Sequence, residues 1–425
     1  MRLLTLIFIF VAADFAYPYD LKDALRDALA NNDDIAVISR QSELSSLQSK
    51  IALSDLLPTA ALGLSYDLHG ELWSPIGIGS LTNPGIGIVV KHNLSSLIAP
   101  TSRLLMAKHD HLSAKFLHAD AVHKILLQVI EAYLGVIESE ETLALYKESI
   151  RALEMHLDAV HRALKLGEST KGELAYAKAR LSSAKSQYLR AENSAEKSKD
   201  FFSYLTGKRH LSDNLQEPYF NRKYIPNTLN DVMKLALANN MTLKASKSSR
   251  ESAKLKIAEA IGNWMPSVSV ETSFQYAPST RVVADGVRYL SSQTVLNIGL
   301  PLFTGGKNSI VVAMAYENKA LKEHEYSAKN KLLEQEVREA WNNYRNSESL
   351  VAASRDLVDA HDIAFKSIKQ EAQLNLKSNL NVIDAELELL KARIQLRQAQ
   401  SGRIIAFYKL FFMLHGGDAI KLLLG

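Results

Sequence analysis

No cysteine occurs among the 425 residues, which excludes thiol catalysis, cysteine zinc sites and a lipid-modified N-terminal cysteine. Glycine and proline are sparse, 19 and 10, and cluster at a few places rather than spreading through linkers. Charge of one sign is nearly missing too: 50 basic against 46 acidic residues leave +4, which offers no footprint for a nucleic acid. No stretch reaches 18 apolar residues, so no membrane-spanning helix is expected. Catalytic constellations are absent as well. Gly305-Gly306-Lys307 lacks both the earlier glycine and the following Ser or Thr of a phosphate-binding loop. His109, His111, His118, His123, His156 and His161 share one expected helical stretch, but no pair has the i, i+4 spacing of a helical metal site. The expectation is a protein that is not an enzyme and needs no cofactor or metal.

What the chain does contain is one design written twice. Ala28-Leu29-Ala30-Asn31-Asn32 recurs as Ala236-Leu237-Ala238-Asn239-Asn240, a separation of 208 (236 minus 28). Pro58 and Pro266, Val129 and Val337, Glu131-Ala132 and Glu339-Ala340, Ala177 and Ala385, and Gln187 and Gln395 keep the same separation. Solenoid and propeller repeats run only about 20–50 residues, so each copy here is a whole structural half. The expected division is 1–16, 17–224 and 225–425.

The first segment reads as a secretory signal. Arg2 is its basic end, Leu3 to Val11 its apolar core, and cleavage is expected after Ala13 or Ala16. Each half then carries two alternating strands, expected at about 59–69 and 85–94, and at about 267–277 and 289–300. Ala60, Leu62, Leu64 and Tyr66 oppose Thr59, Ala61, Gly63 and Ser65, and Val268, Val270, Thr272, Phe274 and Tyr276 oppose Ser267, Ser269, Glu271, Ser273 and Gln275. About ten residues, apolar on one side and small or polar on the other, is the pattern of a barrel strand crossing a bilayer, although a soluble two-sheet core gives the same alternation. Asp67, Glu271 and Gln275 fall on the wet side. Four strands per chain cannot close a barrel, and an open edge cannot sit in lipid, so a membrane reading demands several chains.

Long helices fill the rest. From about Ala99 to Lys165 the periodicity predicts one helix near 100 Å long at roughly 1.5 Å per residue. Leu143, Tyr146, Ile150, Leu153, Leu157, Val160 and Leu164 form its coiled-coil seam. The return helix, about Gly172 to Tyr204, and its equivalent in the second half alternate large residues with alanine, as in Ala177, Leu181 and Ala184 or Ala385, Leu389 and Ala392.

With these pieces in order, the sequence resembles the TolC-like outer-membrane efflux proteins (outer membrane factors) over essentially all of the chain that follows the expected signal segment. Leu300-Pro301-Leu302-Phe303-Thr304-Gly305-Gly306 is similar to the family's Pro-Leu-Phe-x-Gly-Gly between the last strand and a long helix. Asn381-Val382-Ile383-Asp384-Ala385-Glu386 is similar to its Asp-Val-Leu-Asp-Ala-x after the periplasmic turn. The resemblance implies a fold that is mostly α with a small membrane β-barrel: a homotrimeric 12-stranded barrel in outer-membrane lipid, continued by a periplasmic α-helical tunnel. It implies a passive exit duct of a tripartite efflux pump, taking small molecules from an inner-membrane transporter and a periplasmic adaptor protein to the outside. The alternatives are the exit duct of a type I protein secretion system and a soluble exported coiled-coil scaffold.

The same resemblance assigns candidate residues to the two helix turns, 165–173 and 373–381. Asp384 takes the place of an acidic residue ringing the closed periplasmic gate, Asn381 stands where the family commonly has a second Asp, and Lys377 stands at a basic position. Three copies of Asp384 would make a cation-attracting constriction, an ordinary solvated helix carboxylate being the competing reading. Gly167 and Asn375 take the adaptor-contact positions, with simple helix stops as the alternative.

Overall fold

The computed structural model describes residues 19–66, 84–94, 98–208, 215–278, 288–374 and 376–424. The expected signal segment, Asp67 with the last residues of the expected first strand, and Asn375 lie outside the described residues. In chain order the elements are α1 (Leu21–Asn31), α2 (Asp33–Ser54), β1 (Thr59–Tyr66), β2 (Pro84–Asn93), α3 (Ile98–Lys165) and α4 (Lys171–Thr206). The second series is α5 (Leu229–Asn239), α6 (Met241–Gly262), β3 (Ser267–Pro278), β4 (Arg288–Gly299), α7 (Lys307–Gln373), α8 (Asn379–His415) and the short α9 (Ala419–Leu424). Helix starts at 21, 33 and 171 recur at 229, 241 and 379, each 208 later. The strand hairpins break the period: β4 starts 204 residues after β2 (288 minus 84), so from strand start to strand start the second hairpin is four residues shorter than the first. Helix α2 stops at Ser54, four residues before Pro58. Its chain tightens through Leu56 N–H to Leu53 O and Leu57 N–H to Ser54 O, after which Pro58 cannot continue a helix.

Two compact units divide these residues, and each draws on both repeats. One comprises 1–37, 119–240 and 333–425, the other 38–118 and 241–332.

In the first unit the core is built from α3, α4, α7 and α8. Leu126, Val129, Ile130, Tyr133 and Leu134 of α3 are buried with Phe202 and Leu205 of α4, Val337 of α7, and Ile404, Phe407, Phe411 and Leu414 of α8. The Tyr133 and Phe202 rings meet edge to face at 5.9 Å. The duplicated Ala-Leu-Ala-Asn-Asn has a physical reason here. Ala28 and Ala236 are wholly buried, and their small size lets α1 and α5 lie close to α4 and α8. Asn31 Nδ2 then donates to Thr206 O (3.3 Å) and Asn239 Nδ2 to Leu414 O (2.9 Å). Both carbonyls belong to the last turn of a long helix, where four acceptors lack intrahelical partners. Asn32 does two jobs: Nδ2 donates to Leu205 O (3.0 Å) while Oδ1 accepts from Ile35 N–H (3.1 Å) and caps α2.

His123, buried on α3, stacks on Phe412 of α8 at 5.2 Å and 28°. Burial holds its imidazole below the ordinary value, against a smaller opposing pull from the Asp120 carboxylate. The unfolded chain therefore takes up this proton first as pH falls. The stability His123 contributes is complete above about pH 6.5 and drains below it at up to about 1.4 kcal/mol per pH unit, until the depressed folded value is passed. Denaturation midpoints measured from pH 7.5 to 5 should fall less steeply in His123→Gln than in the parent; equal slopes would clear His123.

In the second unit the strands form one antiparallel sheet in the order β1-β2-β3-β4, and β2 paired with β3 joins the two repeats. The register puts Leu62, Ile88 and Phe274 in one row and Leu64, Ile86, Tyr276 and Leu290 in the next. These face away from Ala61, Val89, Ser273 and Gln293, and from Gly63, Gly87 and Gln275, since side chains alternate along a strand. Leu64 is 81% exposed and Leu290 77%, so the apolar face is bare. On the polar face Lys91 lies directly opposite Glu271, a favourable cross-strand charge pairing. Among the described residues the outer edges of β1 and β4 have no strand partner. At the helical side, an added Cβ on Gly262 would lie 2.7 Å from Ala99 Cβ and 3.0 Å from its backbone nitrogen, so only glycine lets α6 pass the start of α3 this closely.

Candidate functional site

The two interhelical turns end the long helices in the same way. At the end of α3, Glu168 N–H donates to Ala163 O (2.9 Å) and Gly167 N–H to Leu164 O (3.2 Å). With Gly167 at φ 78° this is the paired closure that a left-handed residue allows. At the end of α7, Leu376 N–H donates to Glu371 O (2.9 Å), the equivalent long closure 208 residues on. The apolar residues beside these closures are left in the open: Leu166 is 74% exposed, and Leu374 and Leu376 are similarly bare. Gly167 itself is exposed, with nothing within 4 Å of the space a Cβ would take. Its conformation explains the glycine without a partner, and its exposure leaves the position free for one.

The return helices start with matched caps. Glu173 Oε2 accepts from Ser169 Oγ (2.6 Å) and Thr170 N–H (3.1 Å), and Thr170 Oγ1 accepts from Glu173 N–H (3.1 Å). The Ser169 hydroxyl, then the Thr170 amide, hold the Glu173 carboxyl below the usual range. Asn381, 208 residues on, does the same work: Oδ1 accepts from Ser378 Oγ (2.7 Å) and Ser378 N–H (3.2 Å). Lys377 stands exposed in the turn before it. Asn381 thus carries a local folding duty whatever else it does.

Asp384 begins the next turn of α8, and it is already engaged. The Tyr176 hydroxyl of α4 donates to Oδ1 at 3.0 Å, with Oδ2 at 3.3 Å, and Arg180 Nη2 donates to Oδ1 at 2.9 Å. Arg180 Nε donates to the Tyr176 hydroxyl oxygen at 2.9 Å, Nη2 also contacts that oxygen, and the guanidinium carbon lies 4.8 Å from the Tyr176 ring centre. The hydroxyl, by hydrogen bonding first and the Asp384 charge after it, pushes the Arg180 value further up. The pair is half open to solvent, 40% exposed at Arg180 and 49% at Asp384. Beneath it Leu153, Leu181, Ala184 and Ile383 form a small buried cluster that fixes α3, α4 and α8 together. His156 of α3 reaches Glu386 of α8 at 3.6 Å nearby.

The structure therefore gathers Tyr176, Arg180 and Asp384, while Lys377 and Asn381 stay in and beside the turn. Tyr176 and Arg180 were missed in the sequence, although the repeat carries a signal for them. Tyr176 is the equivalent of Asp384, and Arg180 the equivalent of Glu388, each 208 apart. Two copies of one helix face have diverged into donors on α4 and carboxylates on α8.

A family model described as outer membrane efflux protein matches residues 24–201 and 232–416. The chain is 23% identical over 285 residues to the outer membrane efflux protein BepC of Brucella suis, and 21% identical over 292 residues to the alkaline protease secretion protein AprF of Pseudomonas aeruginosa. Those matches take in 67% and 68% of this chain but 62% and 61% of the relatives, so the chain spans about three fifths of their length. Outer membrane protein TolC of Vibrio cholerae is 20% identical over 396 residues, covering 92% of this chain and 89% of TolC. Among solved structures, the Campylobacter jejuni CmeC outer membrane channel superposes with a TM-score of 0.82 at 18% identity (93% of this chain, 86% of CmeC), and CusC with 0.81 at 17% (93% and 92%). These likenesses give the fold. The family is one of channels rather than enzymes, its place is the outer membrane, and with both of its halves matched this chain belongs to it: it is a TolC-like outer membrane efflux protein.

Proposed function

We propose that three copies of this chain form the exit duct of a tripartite efflux pump, in which twelve strands close a barrel in outer-membrane lipid and the helices continue it as a periplasmic tunnel. The observation that carries this reading is the sheet. Its bare apolar face suits lipid, its polar face suits a wet lumen, and its two free edges would be forbidden in hydrocarbon unless neighbouring copies paired them. Small molecules would arrive passively from an inner-membrane transporter through a periplasmic adaptor. Gly167 and Asn375 would meet the adaptor at the turns. Asp384, Asn381 and Lys377 would mark the periplasmic gate, with Asp384 held shut by Arg180 and Tyr176 rather than standing as a bare ring of carboxylates.

Purified from membranes in detergent, the protein is expected to scatter light as a trimer and to conduct ions in planar bilayers. A monomer that stays dissolved without detergent would overturn the assignment. A second reading, the exit duct of a type I secretion system, is favoured by the likeness to AprF. Deleting the gene should sensitise cells to dyes and bile salts under the first reading and should abolish export of a protein under the second.

A further inference from the structure

Within the first unit the chain between the repeats is strapped onto the far end of α8. The Tyr133 hydroxyl donates to Gln216 O (2.6 Å), Arg397 Nη1 donates to Glu217 Oε1 (3.3 Å), and the Phe220 ring lies 4.7 Å from that of Phe407. Between this strap, the start of α1, α8 and α9 is a cavity of about 350 Å³, the size of a small-molecule site. Its buried wall is aromatic, from Phe407, Tyr408 and Phe411, and its rim carries the exposed Gln216, Glu217, Tyr219 and Asn221. Tyr219 leaves 89% of its surface open. Tyr408 is the opposite case: it is 4% exposed, yet its hydroxyl has no hydrogen-bond partner among the described residues. A buried tyrosine hydroxyl normally finds one. Burial pushes its value up to about 12, so it stays neutral and can both donate and accept. The lining charges are mixed, Lys22 against Asp20 and Glu217, so no strong field of one sign draws an ion.

We infer that this cavity binds a neutral saccharide whose unit is an N-acetylated amino sugar. An apolar guest would leave the Tyr408 hydroxyl unpaired, which costs affinity. A sugar offers C–H faces to the negative face of an aromatic ring, and hydroxyls to Tyr408 and to the rim amides. Tyr219 stacks on one ring of the chain at the mouth. The next unit enters, its acetamido carbonyl accepting from the Tyr408 hydroxyl and its methyl resting on the aromatic wall. The strap is tied down by Tyr133 and Arg397, so the platform is set before the ligand arrives and little is spent on ordering it.

The probe is chitotetraose, a chain of N-acetylglucosamine, titrated into the detergent-purified protein by calorimetry, and saturable binding is expected. Tyr408→Phe keeps the ring and removes one hydrogen bond. It should weaken binding by roughly three- to tenfold without lowering the unfolding midpoint of the free protein. Tyr219→Ala, at a position too open to affect folding, should weaken binding by roughly the same factor. Silence at millimolar chitotetraose, the result expected if a neighbouring copy covers Tyr219, would overturn the site. So would binding untouched by both substitutions. Cellotetraose lacks the acetamido groups, and binding equal to that of chitotetraose would overturn the amino-sugar assignment. Competition by glycan released from the cell wall, or by lipopolysaccharide, then names the source; competition by neither would count against the inference. None of these readouts is a conductance, so this site and the duct stand or fall separately.

Discussion

Arg180→Ala is expected to raise the resting conductance of the reconstituted trimer by a factor between about three and about a hundred. A partly exposed ion pair of this kind contributes about 0.2–1 kcal/mol, and three of them, closing one aperture as proposed above, would contribute about 0.6–3 kcal/mol together, at about 1.4 kcal/mol per factor of ten. The Tyr176 ring under the guanidinium argues for the upper part of that range, because the cation is held by charge, hydrogen bonds and the ring face at once. Arg180→Lys should recover only part of the closure, since an ammonium cannot reproduce the forked contacts made by Nε and Nη2. Single-channel recordings of the two variants decide the matter: equal conductance in Arg180→Ala and the parent would show that the pair decorates the helices without closing them.

The largest structural effect belongs to Phe411. Its side chain is wholly buried and sits among the rings of Phe407 (6.0 Å), Tyr224 (5.6 Å), Phe412 (5.9 Å) and His415 (4.6 Å). Phe411→Ala should cost about 3–5 kcal/mol, because the lost transfer energy adds to a cavity that crowded aromatic neighbours cannot collapse to fill. The site also anchors the 222–224 turn. His415 Nε2 meets Tyr224 O at 2.9 Å, so loosening the cluster frees the segment that leads into the second repeat. Guanidinium unfolding followed by near-ultraviolet circular dichroism should show the midpoint falling in Phe411→Ala and largely restored in Phe411→Leu. A loss below 1 kcal/mol in the alanine variant, on the order of a surface substitution, would mean that the ring cluster is not a rigid core.

Particular residues show how far the sequence could be read. The bounds of α3 were legible because apolar residues at 3 and 4 spacing run along it, and Gly167 announces the stop. The strands were legible because Leu62 and Leu64 alternate with Ala61 and Gly63, and one face of a pleated sheet is written directly in every second residue. Asn31 and Asn239 stood out as repeats but not as tethers, since their targets, Thr206 O and Leu414 O, are backbone atoms 175 residues away. Asp384 was legible as a candidate from its place after the turn, but its partners were not. An ion pair between helices depends on rotation and register, and neither follows from periodicity alone.

By itself the sequence determined the duplication, the lengths of the helices, the two-faced strands and hence the family. All of these are patterns along one strand or helix, set by local sterics and by the separation of apolar from polar residues. Only the tertiary structure decided that β2 pairs with β3 across the repeats, that Asn381 is a cap, and that Asp384 is bound by Tyr176 and Arg180. Those outcomes turn on which faces of distant segments meet, and that is fixed by packing of the whole chain rather than by any stretch of it.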